Sequence, residues 1–259
     1  MLVIMGRYAE AESLVAELLP RRSSGRLLEF DVRLKLNWRG DSAAAAAALG
    51  RWPAWMFNED RGVQCAAQVW MWNREPAKAL VALSRFPRDY IRHGRFTGPR
   101  AALTAWLHEQ AGNPQAAQTD WKLAIQVADR ELALAPTNSD ALHWKAWALV
   151  RLGDRAAAEP IVRELIERNV RTIRRWNEST VGLVALALMV DKPDWAFSEL
   201  ENIYSEKGGT EGAGFWATRA VLDLNPIFDA VRTDARFLAI REAAPAPTGS
   251  VTAATAAAP

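Results

Sequence analysis

Apolar side chains along this chain recur three and four residues apart rather than in alternation, and the recurrence itself repeats. An alanine heads each instance, at Ala11, Ala45, Ala79, Ala117, Ala158 and Ala196. Four residues on stand Val15, Leu49, Leu83, Trp121, Val162 and Leu200; seven on stand Leu18, Trp52, Phe86, Ala124, Leu165 and Ile203. All are apolar, and this spacing puts them on one stripe of a helix. The alanines lie 34 residues apart in the first two intervals, then 38, 41 and 38. A small residue at the head of the stripe suits two helices that approach closely beside a tight turn, where a larger side chain would hold them apart.

The turns carry their own marks. Five residues before each alanine stand Gly6, Gly40, Arg74, Gly112, Gly153 and Asp191; glycine tolerates the left-handed conformation that ends a helix. Pro76, Pro114 and Pro193 follow where a new helix would begin, and Asp41, Asn113 and Asp154 stand where an N-cap is needed. Before the turns, Arg26–Trp38, Asp60–Trp72, Pro99–Ala111, Ser139–Leu152 and Asn177–Val190 read as partner helices. No strand-type alternation competes with this reading. The pattern predicts an all-α fold, an α-solenoid of about six helix–turn–helix units over residues 1–242, with a C-terminal cap at about 211–242. Residues 243–259 carry no charged or aromatic side chain beyond the cap and are expected to be a disordered Ala/Pro/Thr tail.

A 34-residue helix–turn–helix with glycine before the turn and a small residue opening the second helix resembles the tetratricopeptide repeat. The segments Met5-Gly-Arg-Tyr-Ala-Glu-Ala11, Gln110-Ala-Gly-Asn-Pro-Gln-Ala-Ala117 and Leu152-Gly-Asp-Arg-Ala-Ala-Ala158 carry the likeness. It covers roughly residues 1–210. In the first helix of each unit the likeness implies a small residue, which Ala67, Ala105 and Ala146 supply and Arg33 does not. A second likeness lies in Pro226, Phe228, Asp229, Arg232, Asp234, Arg236 and Phe237. Their spacing resembles a motif that closes the tetratricopeptide regions of many bacterial multidomain regulators, where the repeats follow a winged-helix, TolB-like, nucleotide cyclase or Ser/Thr kinase domain. This implies a capping segment in which Phe228, Val231, Phe237 and Leu238 cover the last unit. The first unit lacks most of its leading helix, so its apolar stripe should be exposed unless an upstream domain or a second chain covers it.

Composition narrows the function. A formal net charge of +2 gives no general case for a membrane surface or a nucleic-acid backbone. No run approaches the length of a membrane span, and Met1–Met5 is too short for a signal-peptide core. The expected location is therefore cytoplasmic, or periplasmic if the chain belongs to a longer membrane-anchored regulator. The single cysteine, Cys65, reads as a buried thiol. His93, His108 and His143 lack metal-ligand spacing, and Lys207–Gly214 lacks the end of a phosphate loop and reads as a connector. No catalytic constellation, cofactor or metal is expected. Twelve tryptophans are mostly core material, with some free to anchor a partner.

The leading expectation is a non-catalytic scaffold that binds a protein or peptide on exposed first-helix positions such as Arg33, Trp70, His108 and Lys145. The first alternative is a ligand-sensing module of a regulator, with a pocket between units. The second is RNA binding through arginines interleaved with aromatics. Arg85, Arg88, Arg92, Arg95 and Arg100 surround Tyr90, His93 and Phe96, and Arg168, Arg171, Arg174 and Arg175 precede Trp176. Of these, Arg92, Arg95, Arg174 and Arg175 are the chosen candidates, although the near-neutral charge disfavours nucleic acid.

Overall fold

The computed structural model describes residues 2–3, 5–22, 24–93, 96–171, 178–204 and 218–247. The chain is mostly helical, with one two-stranded sheet among the described residues. Helix α1 spans Tyr8–Leu18 and α2 spans Gly25–Arg33, running into a wider π turn at Leu34–Trp38. Then come α3 (Ser42–Leu49), a 3-10 turn (Ala54–Asn58), α4 (Asp60–Trp72) and α5 (Pro76–Ser84). The hairpin β1 (Tyr90–His93) and β2 (Phe96–Pro99) leads into α6 (Arg100–Gln110), α7 (Pro114–Leu134), α8 (Ser139–Arg151) and α9 (Arg155–Arg171). The chain ends with α10 (Glu178–Met189), α11 (Pro193–Tyr204), α12 (Arg219–Leu224), a 3-10 turn (Pro226–Val231) and α13 (Ala235–Ala243).

The turn chemistry is the same in every unit. Gly6, Gly40, Gly112 and Gly153 have φ between 68° and 90°, and Arg74 and Asp191 adopt φ 59° at the equivalent step. The next residue sends its N–H back to a carbonyl at the end of the preceding segment: Arg7 to Leu2, Glu75 to Trp70, Asn113 to His108, Asp154 to Leu149 and Lys192 to Ala187. This six-to-one bond is how a left-handed residue closes a helix end. At Gly40 the same bond skips one residue further, from Asp41 to Lys35, because the π turn adds one. Asp41, Asn113 and Asp154 then accept N–H bonds from Ala44, Ala116 and Ala157, and Pro76, Pro114 and Pro193 open their helices. The six repeat alanines are all buried, as are the apolar positions after them except the half-buried Leu18.

From α1 to α11 each helix packs on its neighbours in sequence, α11 also packs on α13, and the cavity-side helices α8 and α10 meet each other. The C-terminal elements do not simply cover the last pair. Helix α12 returns to pack on the π turn near the N-terminus. Thr218 Oγ1 donates to the carbonyl of Asn37, and Arg74 forms two bonds, 2.7 and 2.8 Å long, to Asp229. One core cluster therefore joins Leu28 and Val32 of α2 to Val181 and Val184 of α10 and to Val221, Phe228 and Phe237 of the C-terminal segment. A second runs through α6 to α10.

Several expectations are corrected. The connection before α6 is a hairpin in which Ile91 is fully buried and pairs with Gly98, not a solvated loop. The stripe of α1 is covered within the chain: Ala11 and Val15 are buried with Leu34, and Tyr8 stacks on Trp38 at 4.6 Å. In the cap, Phe228 and Phe237 are buried and 5.4 Å apart, but Leu238 is exposed. The tail begins packed, with Ala244 buried and the Pro245 carbonyl accepting a bond from Arg219 N–H. Lys207–Gly214 and residues 248–259 lie outside the described residues.

Candidate functional site, an interior cavity

Four helices and two connecting segments turn their inner faces toward one cavity of about 110 Å³. Helix α4 contributes Gln64, Ala67, Gln68, Met71 and Trp72. Leu103 and Trp106 come from α6, Asp140, His143, Trp144 and Trp147 from α8, and Val181 and Gly182 from α10. The hairpin adds Phe96 and Thr97, and the C-terminal turn adds Asn225 and Ile227. Spacings of three and four residues on α4 and α8 bring these side chains to one side of each helix.

The aromatic wall is held from behind. Trp144 Nε1 donates to the carbonyl of Thr97 at 3.1 Å, and its ring lies 4.9 Å from Phe96. Gly98 is where it is because a Cβ there would run into the Trp144 indole. Trp147 stands 5.7 Å from both Trp106 and Trp144, tilted against each. His143 meets the edge of Trp144 at 5.2 Å. Gly182 leaves space for the imidazole, since a Cβ would come within 2.9 Å of its Cε1 and Nε2. Only 6% of His143 is exposed, and burial pushes its pKa down to about 4, so the ring is neutral near pH 7. Its ring nitrogens meet no hydrogen-bond partner among the described residues.

The polar wall is built on Arg33, which is 0% exposed. Its Nε donates to Glu29 at 2.7 Å, Nη1 to Gln68 Oε1 at 2.6 Å, and Nη2 to Gln64 Oε1. Glu29 also accepts from Arg61. A guanidinium only donates, so both glutamines must present oxygen to it. Asn225 likewise commits its Oδ1 to Ile227 N–H at 3.1 Å.

The proposed partner-binding residues sit elsewhere. Arg33 was expected on an exposed face; it is fully buried in the register that Ala67, Ala105 and Ala146 occupy in later units, because three side chains accept its donors. Trp70 points away from the cavity and is covered by Lys78, whose ammonium is 4.7 Å from the ring centre. Lys145 pairs with Asp129 at 2.7 Å, and His108 lies 3.7 Å from Asp120 in a separate groove with Leu80 and Val127. Arg92 stacks over Tyr90 at 4.6 Å and bonds Glu131, which raises its pKa. Arg88 pairs with Asp60, and Arg100 lies 3.6 Å from Asp89, so the basic cluster is largely paired within the chain. Arg95, Arg174 and Arg175 lie outside the described residues.

Sequence reasoning missed His143, Gln64 and Gln68. The signal was present as polar residues at i, i+4 spacing within otherwise apolar helices, and as His143 four residues before Trp147. Cys65, the single cysteine, is buried. Among the described residues, no three metal-ligating side chains gather at one point, and no helix is long and apolar enough to cross a membrane. Comparison with protein-family models, curated proteins and solved structures finds no match.

Proposed function

We propose that this chain is a non-catalytic binding module, a closed superhelix of about six tetratricopeptide-like units, whose ligand is a small molecule held in the interior cavity. The observation that carries this reading is the cavity itself: a neutral, almost wholly buried histidine with no hydrogen-bond partner among the described residues, set among Trp72, Trp106, Trp144 and Trp147. Sites for small ligands are concave, mostly apolar, and carry a few well-aimed polar groups. The peptide-scaffold reading is less well supported. In that reading the inner helix faces would take an extended segment, whereas here the hairpin and the C-terminal turn occupy the same side. A sensory module of a regulator fits the closed form, because a ligand inside would tie the two ends of the array together.

A thermal-shift screen of the purified chain against a broad set of small metabolites tests this. A ligand at a hundred times its Kd should add about 2.7 kcal/mol of stability. The effect should vanish in Gly182→Leu, whose side chain would push His143 into the cavity, and circular dichroism checks that the variant is folded. If no compound raises the melting temperature, and a partner protein binds the native chain and Gly182→Leu equally, the scaffold reading stands instead.

A further inference from the structure

We infer that the cavity selects a single-ring aromatic carboxylate, with its oxygens on the amides of Gln64 and Gln68 and its ring against the tryptophans. This rests on the reading of the cavity as a ligand site and specifies what that site takes. The argument begins with donor geometry. Arg33 consumes the Oε1 atoms of both glutamines, at 2.6 Å for Gln68, so their Nε2 groups are left to donate. Neither Nε2 has a protein partner among the described residues, and both side chains line the cavity. The two glutamines are one helical turn apart on α4, so their amides form a pair of donors on one wall. Asn225 adds a third amide whose oxygen is already engaged.

Charge is compatible with an anion at the glutamine wall. Arg33 and Arg61 meet Glu29 behind the glutamines, and Asp140 lies across the cavity, so a carboxylate on the glutamines is held apart from Asp140 by the ring. Amide N–H groups serve only an acceptor, so this wall takes an oxygen and not an ammonium group.

Size and shape complete the assignment. The cavity's 110 Å³ is smaller than the roughly 150 Å³ apolar cavity that accepts benzene, so it has room for one ring at most; it is not sealed, which leaves substituents a way to its mouth. The tilted rings of Trp106, Trp147 and Trp144 offer faces and edges to it at ordinary aromatic spacings. Neutral His143 can give one N–H and accept one, which suits a ring substituent such as a hydroxyl.

The test uses the full chain and three probes of matched size: benzoate with its hydroxylated derivatives, benzamide, and phenyltrimethylammonium. Isothermal titration should give benzoates the tightest binding, benzamide weaker binding, and the ammonium none. Gln68→Glu is the decisive variant. It keeps an acceptor for Arg33, so the fold persists, but it replaces the amide donor with a carboxylate. It should weaken benzoate binding by about tenfold or more, while circular dichroism and melting stay close to the native chain. Phenyltrimethylammonium binding that is lost in Gly182→Leu would overturn the carboxylate assignment and leave the cavity as a ligand site. Benzoate binding unchanged in both Gln68→Glu and Gly182→Leu would overturn the assignment as well, by placing that ligand elsewhere. Failure of all three probes also overturns it, and the broad metabolite screen then decides separately whether the cavity binds anything.

Discussion

Helices α3, α5, α7, α9 and α11 and helices α2, α4 and α8 are built by different rules. The first set, on the outer side, meets its neighbours through one alanine and two apolar residues in fixed register, and nearly every such position is buried. In the second set, α4 and α8 line the cavity and α2 backs α4, and together they bury Glu29, Arg33, Gln64, Gln68 and His143; α6 and α10 also line the cavity but bury no polar side chain among the described residues. Outer packing gains stability from close approach of small apolar surface. The cavity side carries polar groups that cost free energy to bury and keep their places only when partnered or when left facing a cavity. The comparison teaches that in this chain regularity marks structure, and departure from it marks the place to look for function.

The largest effect should come from breaking the buried ion pair. Arg33→Ala removes one of the cations around Glu29, which also meets Arg61 and lies 3.8 Å from His93, and strips the two glutamine oxygens of their Arg33 donors. Loss of one partner of a buried pair costs about 3–5 kcal/mol. Urea unfolding should show this loss. The double variant Arg33→Met with Glu29→Met should recover much of it, since a well-packed apolar replacement removes the desolvation cost. If Arg33→Ala costs no more than an outer surface change, the polar wall is not a packed network.

Next in size is the pH dependence of His143. Its folded pKa, about 4, lies below the ordinary value of 6.5 because burial disfavours the charged ring. Above pH 6.5 both states are neutral and the histidine costs nothing. As pH falls from 6.5 to 4 the unfolded chain takes up the proton and the folded one does not, so stability falls by on the order of 3 kcal/mol. The same series with His143→Phe should lack that part of the slope, and the difference between the two curves isolates the residue. Parallel curves would mean that the imidazole is solvated in the folded chain.

On the outer side the expected costs are smaller and steric. Ala79 is 0% exposed at the contact of α4 and α5. Ala79→Leu should cost about 1–3 kcal/mol through overpacking, whereas Ala77→Leu on the same helix should be nearly neutral, because Ala77 is exposed. Equal effects would show that the repeat alanines are not contact points.

These two sets were unequally legible in the sequence, for a physical reason. Turns, caps and the outer stripe rest on interactions within about seven residues, and local chemistry displays them: Asp154 caps α9 and Gly153 turns left-handed where the spacing required. Which side of α4 or α8 faces inward depends on how later elements close over them. Trp70, an expected partner-binding position, lies two residues from Trp72, which lines the cavity, and carries Lys78 over its ring instead. Arg33 was placed outside because charged residues are seldom fully buried. Glu29, one of its acceptors, is a local i, i+4 partner, but Gln64 and Gln68 lie about 30 residues ahead on α4, beyond the reach of a local pattern. The hairpin went unseen because its strands are four residues each and too short to show alternation.

The smallest effect separates turn chemistry from end-to-end closure. Arg74 and Asp191 hold the same left-handed conformation, φ 59°, that glycines hold in the other units. For an L-residue with a side chain that conformation costs roughly 1–2 kcal/mol, part of which glycine would return as entropy of the unfolded chain. Asp191→Gly should therefore gain about 0.5–1 kcal/mol, because its pair with Arg155, at 3.4 Å, is solvent-exposed and worth little. Arg74→Gly should gain the same at the backbone but lose the two bonds to Asp229 that tie the C-terminal segment to α4. Comparing the melting temperatures of the two variants reads the difference between them. If Arg74→Gly is as stabilising as Asp191→Gly, the Arg74–Asp229 pair contributes nothing to closing the molecule, and closure rests on Thr218, Ala220 and the shared apolar core.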